Sequence, residues 1–218
     1  MYNRFRKEKK GFTLVEIIVV LVILAILAAF TIPAMLGFVD DAKKKSILME
    51  GHEVLTAFHT SFTEIYGNGF NGTSTLFTDK RSDSATNGQQ FYMINNWSYS
   101  DDAKNTQKNP ESPNDSSNQI AWKMETTLGN DVTPYTGGSG YMGKTLQEAN
   151  KTINDNNKFA MVIFYTADGK VAEFYYIRGG YMWVYKSDGT SATYSTKDNA
   201  KIPGYTGGGK NPGTIIWK

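Results

Sequence analysis

Phe12 and Glu16 are the residues whose type and spacing most directly suggest chemistry. Gly11-Phe12 closes a short basic leader, and Glu16 follows four residues later at the head of an apolar run. From Ile17 to Val39 no other charged residue occurs. A carboxylate placed at mid-membrane costs roughly 2.5–3.5 kcal/mol. It persists in such surroundings when something pairs with it. Scission after Gly11 would supply that partner by freeing an amine on Phe12. The amine of one molecule could then meet Glu16 of a neighbour shifted along a filament axis, and each charge would be neutralised.

Other chemistries find little support. The chain has no cysteine, which excludes disulfides, thiolate metal sites and a cysteine nucleophile. His52 and His59 are seven residues apart, without the i, i+4 spacing of a helical metal pair, and read as a solvated helix face. Asp101, Asp102, Glu111 and Asp115 offer oxygen ligands but no regular calcium-loop spacing, so no metal is expected there. Gly137-Gly138-Ser139-Gly140 lacks the Gly-Lys-Ser/Thr of a phosphate loop, and reads as a turn. Asn71-Gly72-Thr73 and Asn96-Trp97-Ser98 match a glycosylation sequon, which means little without the enzyme. With no nucleophile or cofactor motif, an enzyme is not expected, nor any cofactor.

The element that must position Phe12 and Glu16 is the apolar stretch itself. Phe12 to Val39 is long enough to cross a bilayer as a helix, which takes roughly 20 apolar residues. The leader holds Arg4, Arg6, Lys7, Lys9 and Lys10 against Glu8, or +4, so the remainder carries −2 of the total +2. Such a cluster stays cytoplasmic and sends the rest outward. It leaves no basic patch for nucleic acid. A secretory signal peptide cut near Ala28-Ala29 and a simple transmembrane anchor are the ordinary readings. Neither gives Glu16 a purpose.

Lys10-Gly11-Phe12-Thr13-Leu14-Val15-Glu16 resembles the processing site of type IV pilins and type II secretion pseudopilins. The resemblance implies a prepilin peptidase that cuts after Gly11 and N-methylates Phe12. It implies that Glu16 sets subunit registration in a helical homopolymer built by a membrane assembly machinery. It implies the pilin fold, made as a precursor in the cytoplasmic membrane and displayed on a surface fibre. Pro33 stands where pilins commonly carry a helix-perturbing proline. The glycine many pilins have in the first half of the segment is absent, Ala25 to Phe30 reading Ala-Ile-Leu-Ala-Ala-Phe.

Five stretches are expected: a leader at 1–11, the apolar helix at 12–39, an amphipathic helix at 40–66, a variable loop region at 67–158, and a sheet with its tail at 159–218. Leu48, Leu55, Phe58, Phe62 and Ile65 recur at helical spacings and form one apolar stripe. From Phe12 to Tyr66 the helix would run about 80 Å at about 1.5 Å per residue, kinked or loosened at Pro33. That kink is either an ordinary transmembrane feature or a point where an assembled fibre stretches.

Stretches 72–88 and 98–118 read as long loops around an aromatic segment, Gln90 to Tyr99, that covers the helix stripe. Ile120 to Leu128 reads as a helix or strand, and Lys144 to Asn154 as a short helix. Phe159–Tyr165, Val171–Ile177, Tyr181–Tyr185 and Ser191–Ser195 alternate with Asp168-Gly169, Gly179-Gly180 and Asp188-Gly189, an antiparallel meander. Its inner face should meet the helix stripe, an α+β arrangement. Tyr175, Tyr176, Tyr181, Trp183 and Tyr185 serve either this core or a carbohydrate platform. The tail through Ile215, Ile216 and Trp217 should tie back onto the head.

Three functions fit these residues. One is a pilin; the second is a pseudopilin of a secretion or DNA-uptake machine. The third is an anchored binding protein that never polymerises, which leaves Glu16 unexplained. The large head with polar loops favours the first.

Overall fold

The computed structural model describes residues 11–67, 77–79, 89–95, 116–129, 133–135, 140–206 and 213–216. One compact unit ends at Ala42 and the other begins at Lys43. Helix α1, Leu14–Gly67, contributes to both. In the first unit its large apolar side chains, Leu14 through Val39, are exposed to more than two fifths of their area. In the second unit it lies on a sheet.

The chain order after α1 is β1 (Phe77–Asp79), β2 (Gln90–Asn95), α2 (Ser116–Leu128), β3 (Thr133–Pro134) and α3 (Leu146–Ile153). Then come β4 (Lys158–Tyr165), β5 (Val171–Arg178), β6 (Tyr181–Lys186), β7 (Ser191–Ser195), β8 (Gly204–Thr206) and β9 (Gly213–Ile216). Among the described residues the sheet order is β7-β6-β5-β4-β2-β1-β9-β8, with β3 paired in parallel to β4. The expected meander is β4 to β7, antiparallel throughout. Gly179 and Gly180 both take positive φ, 56° and 81°, as a two-residue hairpin turn requires. The tail does return to the sheet: β9 pairs in parallel with β1 and antiparallel with β8. Trp217 lies outside the described residues.

Strand β4 explains the layering. Its residues are buried from Phe159 to Tyr165 without a break. Successive side chains on a strand point to opposite faces. Phe159, Met161, Ile163 and Tyr165 accordingly join Val54, Leu55, Phe58 and Phe62 of α1 in one core. Ala160, Val162 and Phe164 join Leu146, Ala149 and Ile153 of α3 in another. The sheet is therefore covered on both faces, where one inner face was expected. A register shift between Phe164 and Tyr165 pairs them with Glu173 and Val171 and leaves Ala172 as the extra residue. It explains why Val171 shares its core with Phe174 and Tyr176, although their numbers differ in parity.

The stripe on α1 is centred differently from the expected one. Leu55, Phe58 and Phe62 are buried, and Leu48 and Ile65 only partly so; Ile47, Gly51, Val54, Ala57 and Ser61 complete the buried face. Gly51 is there because Trp183 is. A Cβ on Gly51 would stand 2.3 Å from the Cε3 atom of the indole. Helix α2 settles the open choice at Ile120–Leu128. It starts within the stretch read as loop and packs Ile120, Ala121, Met124 and Leu128 into the α1 core. Lys123 reaches Glu64 of α1 at 2.6 Å. Strand β1 likewise interrupts the stretch read as a loop at 72–88. Of the aromatic segment, Tyr92 and Ile94 face α1 and Phe91 the other core. Trp97 and Tyr99 lie outside the described residues.

The aromatic residues of β5 and β6 are not a carbohydrate platform. Tyr175, Tyr176 and Trp183 are buried, and Tyr181 and Tyr185 pack partly against the α1 core.

Candidate functional site

Thr13 opens helix α1 as its N-cap. An N-cap side chain accepts from one of the first backbone N–H groups, which have no partner inside the helix. Here the Glu16 N–H donates to Thr13 Oγ1 at 3.2 Å. In return Glu16 Oε2 accepts from the Thr13 N–H at 2.8 Å and from the Thr13 hydroxyl at 2.7 Å. The Ile17 N–H donates to the Thr13 carbonyl at 3.3 Å. This is a reciprocal capping box, and the pattern Thr-x-x-Glu was in the sequence to be seen. Glu16 was expected to find its partner on a neighbouring subunit; within its own chain Thr13 already holds Oε2.

The box leaves chemical capacity unused. A carboxylate has about four lone-pair sites on two oxygens. Among the described residues the box engages Oε2, and Oε1 remains for a further donor. Phe12 is 83% exposed, and nothing lies within 4 Å of a Cβ built on Gly11. Scission, a free Phe12 amine and a carboxylate four residues along are sterically open here.

The apolar helix carries this site. The stretch Leu14–Val39 has 26 residues. At about 1.5 Å each it spans about 39 Å, more than the roughly 30 Å of a bilayer core. The most apolar part of α1 passes the length and composition test for a membrane span, and none of it is buried within the chain. Thr31 Oγ1 donates to the Leu27 carbonyl at 3.0 Å, so its hydroxyl is satisfied on the helix itself. Pro33 lies inside α1 and has no N–H to give to the carbonyl of Ala29.

The remaining candidates separate. His52 and His59 are both exposed: His52 lies over Trp183 at 4.5 Å between ring centres, and His59 meets Phe58 at 5.3 Å. No group of three or more His, Cys, Asp or Glu placed to hold a metal occurs among the described residues. Asp101, Asp102, Glu111, Asp115 and both sequon asparagines lie outside them.

A second polar constellation went unread in the sequence. Glu50 of α1 accepts through Oε2 from the Tyr176 hydroxyl and from an Arg178 N–H, both at 2.9 Å. Ser46 donates to Glu50 Oε1 at 3.1 Å. Burial, and then the Glu50 charge, push the Tyr176 phenol far above its usual range. This clasp joins residues 126 and 128 positions apart, a separation no local pattern reveals.

Residues 6–32 match the family model of the prokaryotic N-terminal methylation motif. No curated protein and no solved structure matches the chain.

Proposed function

We propose, for a chain whose N-terminus is that of a type IV pilin-like prepilin with a class III leader, that it is the structural subunit of a type IV pilus. Prepilin peptidase cuts after Gly11 and the new Phe12 amine is methylated. The apolar part of α1 holds the subunit in the cytoplasmic membrane and then polymerises with copies of itself, through the assembly machinery of that membrane. In the fibre the Phe12 amine of one subunit meets Glu16 of its neighbour, and Pro33 loosens the helix. The fibre supports adhesion or surface motility. The role is structural, and no catalytic group is assigned.

The observation that carries this reading is the methylation motif at 6–32, which covers the cut, the carboxylate and much of the apolar helix. The exposure of that helix supports it. Side chains that the chain leaves uncovered find apolar cover first in lipid and then among the helices of a fibre. Glu16 sits where a second donor can reach Oε1 while Thr13 still holds Oε2.

Antibody to the head, imaged on the cell surface, tests the proposal. Long labelled fibres are the expected result. Label restricted to fibre tips would make the chain a minor subunit. Label restricted to the envelope would favour the alternative, a pseudopilin of a type II secretion or DNA-uptake system.

A further inference from the structure

Strand β7 closes one end of the sheet among the described residues and pairs with β6 alone. Two hydrogen bonds fix the phase of that ladder. The Lys186 N–H donates to the Thr190 carbonyl and the Thr196 N–H to the Gly180 carbonyl, both at 3.0 Å. Facing residues of an antiparallel pair alternate between exchanging hydrogen bonds and not exchanging them. By the register, Ala192 and Tyr194 then bond to Val184 and Met182. Ser191, Thr193 and Ser195 turn their backbone N–H and C=O groups away from β6. One of these outward donors is already used, because the Ser195 N–H gives to Asp198 Oδ2 at 2.6 Å. The N–H groups of Ser191 and Thr193 have no partner among the described residues, and three carbonyls stand beside them.

An exposed edge is normally guarded by a charge, a proline or a bulge. Ser191 to Ser195 reads Ser-Ala-Thr-Tyr-Ser, with neither charge nor proline, and its register on β6 runs without a shift. Ser191 and Ala192 are exposed, and Thr193 and Tyr194 half-buried. The strand matches itself. An antiparallel copy with its twofold axis at Thr193 overlaps all five residues. Thr193 exchanges two hydrogen bonds with Thr193 of the second copy, and each Ser191 N–H meets the Ser195 carbonyl of the other. Every open donor is then used, and the donor held by Asp198 is not needed. The side chains agree. Thr193 faces Thr193 and Ser191 faces Ser195 on one side of the sheet, and Ala192 faces Tyr194 on the other, small against large. Lys186 and Asp188 flank one end of β7, and Lys197 and Asp198 the other, so both ends carry both signs.

We propose that β7 is an interface between copies of this chain, joining two heads into one continuous sheet. A twofold contact closes on itself, whereas a filament grows by head-to-tail contacts. The β7 contact therefore does not build the fibre; it ties a subunit of one fibre to a subunit of the next. That last step rests on the proposed role as a fibre subunit, and the pairing itself does not.

The test exploits the absence of cysteine from the chain. In the proposed register the two Thr193 Cα atoms stand about 5.5 Å apart, within the roughly 4.4–6.8 Å a disulfide spans. Full-length Thr193→Cys, in detergent and in isolated fibres, is oxidised with copper phenanthroline and run on a non-reducing gel. The expected result is a dimer at least about tenfold more abundant than from Ala192→Cys, whose two copies lie roughly 7–8 Å apart on a diagonal. Thr193→Pro removes the central outward donor and leaves the β6 ladder whole. Thr193→Lys sets like charges face to face. Both variants should form single fibres where the parent forms bundles in electron micrographs, with circular dichroism confirming the fold. No dimer from Thr193→Cys overturns the proposal, as does an equal or larger yield from Ala192→Cys. Unchanged bundles in both edge variants overturn the link between fibres. A parent chain that makes no fibres removes the fibre reading instead, and the cross-link in detergent still decides the pairing.

Discussion

Replacing Gly51 with alanine sets helix propensity against packing, and the two have opposite signs. Alanine in a helix interior is favoured over glycine by about 1 kcal/mol. A Cβ at Gly51, however, would sit 2.3, 2.9 and 3.1 Å from the Cε3, Cζ3 and Cδ2 atoms of Trp183. Carbon atoms prefer about 3.5–4.0 Å, so the closest contact is short by more than 1 Å. The indole cannot bend away. It is fully buried, with Phe174 at 5.6 Å, Tyr185 at 6.0 Å and His52 at 4.5 Å between ring centres. Overpacking of this kind costs about 1–3 kcal/mol, and a rigid ring places the cost near the top of that range. The net expectation is a loss of about 2 kcal/mol after the helix gain is subtracted. Urea unfolding of the full chain in detergent, followed by tryptophan fluorescence, measures it. Trp183→Phe supplies a second arm, because the indole Nε1 has no hydrogen-bond partner to lose. In that background Gly51→Ala should cost at least about 1 kcal/mol less than it does alone. A Gly51→Ala chain as stable as the parent, or more stable, would show that the helix does not rest on Trp183.

Glu16→Ala should leave processing intact and abolish or shorten fibres, as seen by immunoblot mass and electron microscopy; normal fibres would remove the registration role. Tyr176→Phe should cost about 1.5 kcal/mol at neutral pH, the loss of a hydrogen bond to a charged acceptor. The folded-state pKa of that phenol is raised above its ordinary 10.0 by burial and by Glu50. Its contribution is therefore fully present below about pH 10 and is lost as pH climbs beyond that value. Urea midpoints at about pH 8 and about pH 11 should converge between Tyr176→Phe and the parent; a constant gap would contradict the clasp. Gly11 replaced by a bulky residue should leave uncut precursor in the membrane, and a mature mass in that variant would contradict the assigned cut.

Much of the head was legible because its signals are local. Asp-Gly and Gly-Gly pairs between aromatic runs marked the hairpins from β4 to β7, and the structure places them within one residue of expectation. The run from Phe159 to Tyr165 also held a signal that went unused: an apolar strand without alternation is covered on both faces. Gly51 was passed over because glycine carries no hydrophobic weight, although a glycine inside a helix asks for a packing reason. The pairing of β1 with β9 joins strands of three and four residues far apart in sequence, and periodicity cannot find it. At the N-terminus Glu16 stands out as the lone charge of an apolar run, whereas Thr13 shows only as the Thr-x-x-Glu spacing of a capping box, a purely local pattern. The clasp at Glu50 depends on α1 meeting β5, so it became visible only once the fold was assembled.

The account stands on one covalent event at the N-terminus. The mass of the polypeptide taken from native cells reads it directly. A chain beginning at Phe12 with one methyl group on its amine is the expected result. A chain that begins elsewhere, or an unmodified Phe12 amine, would contradict it.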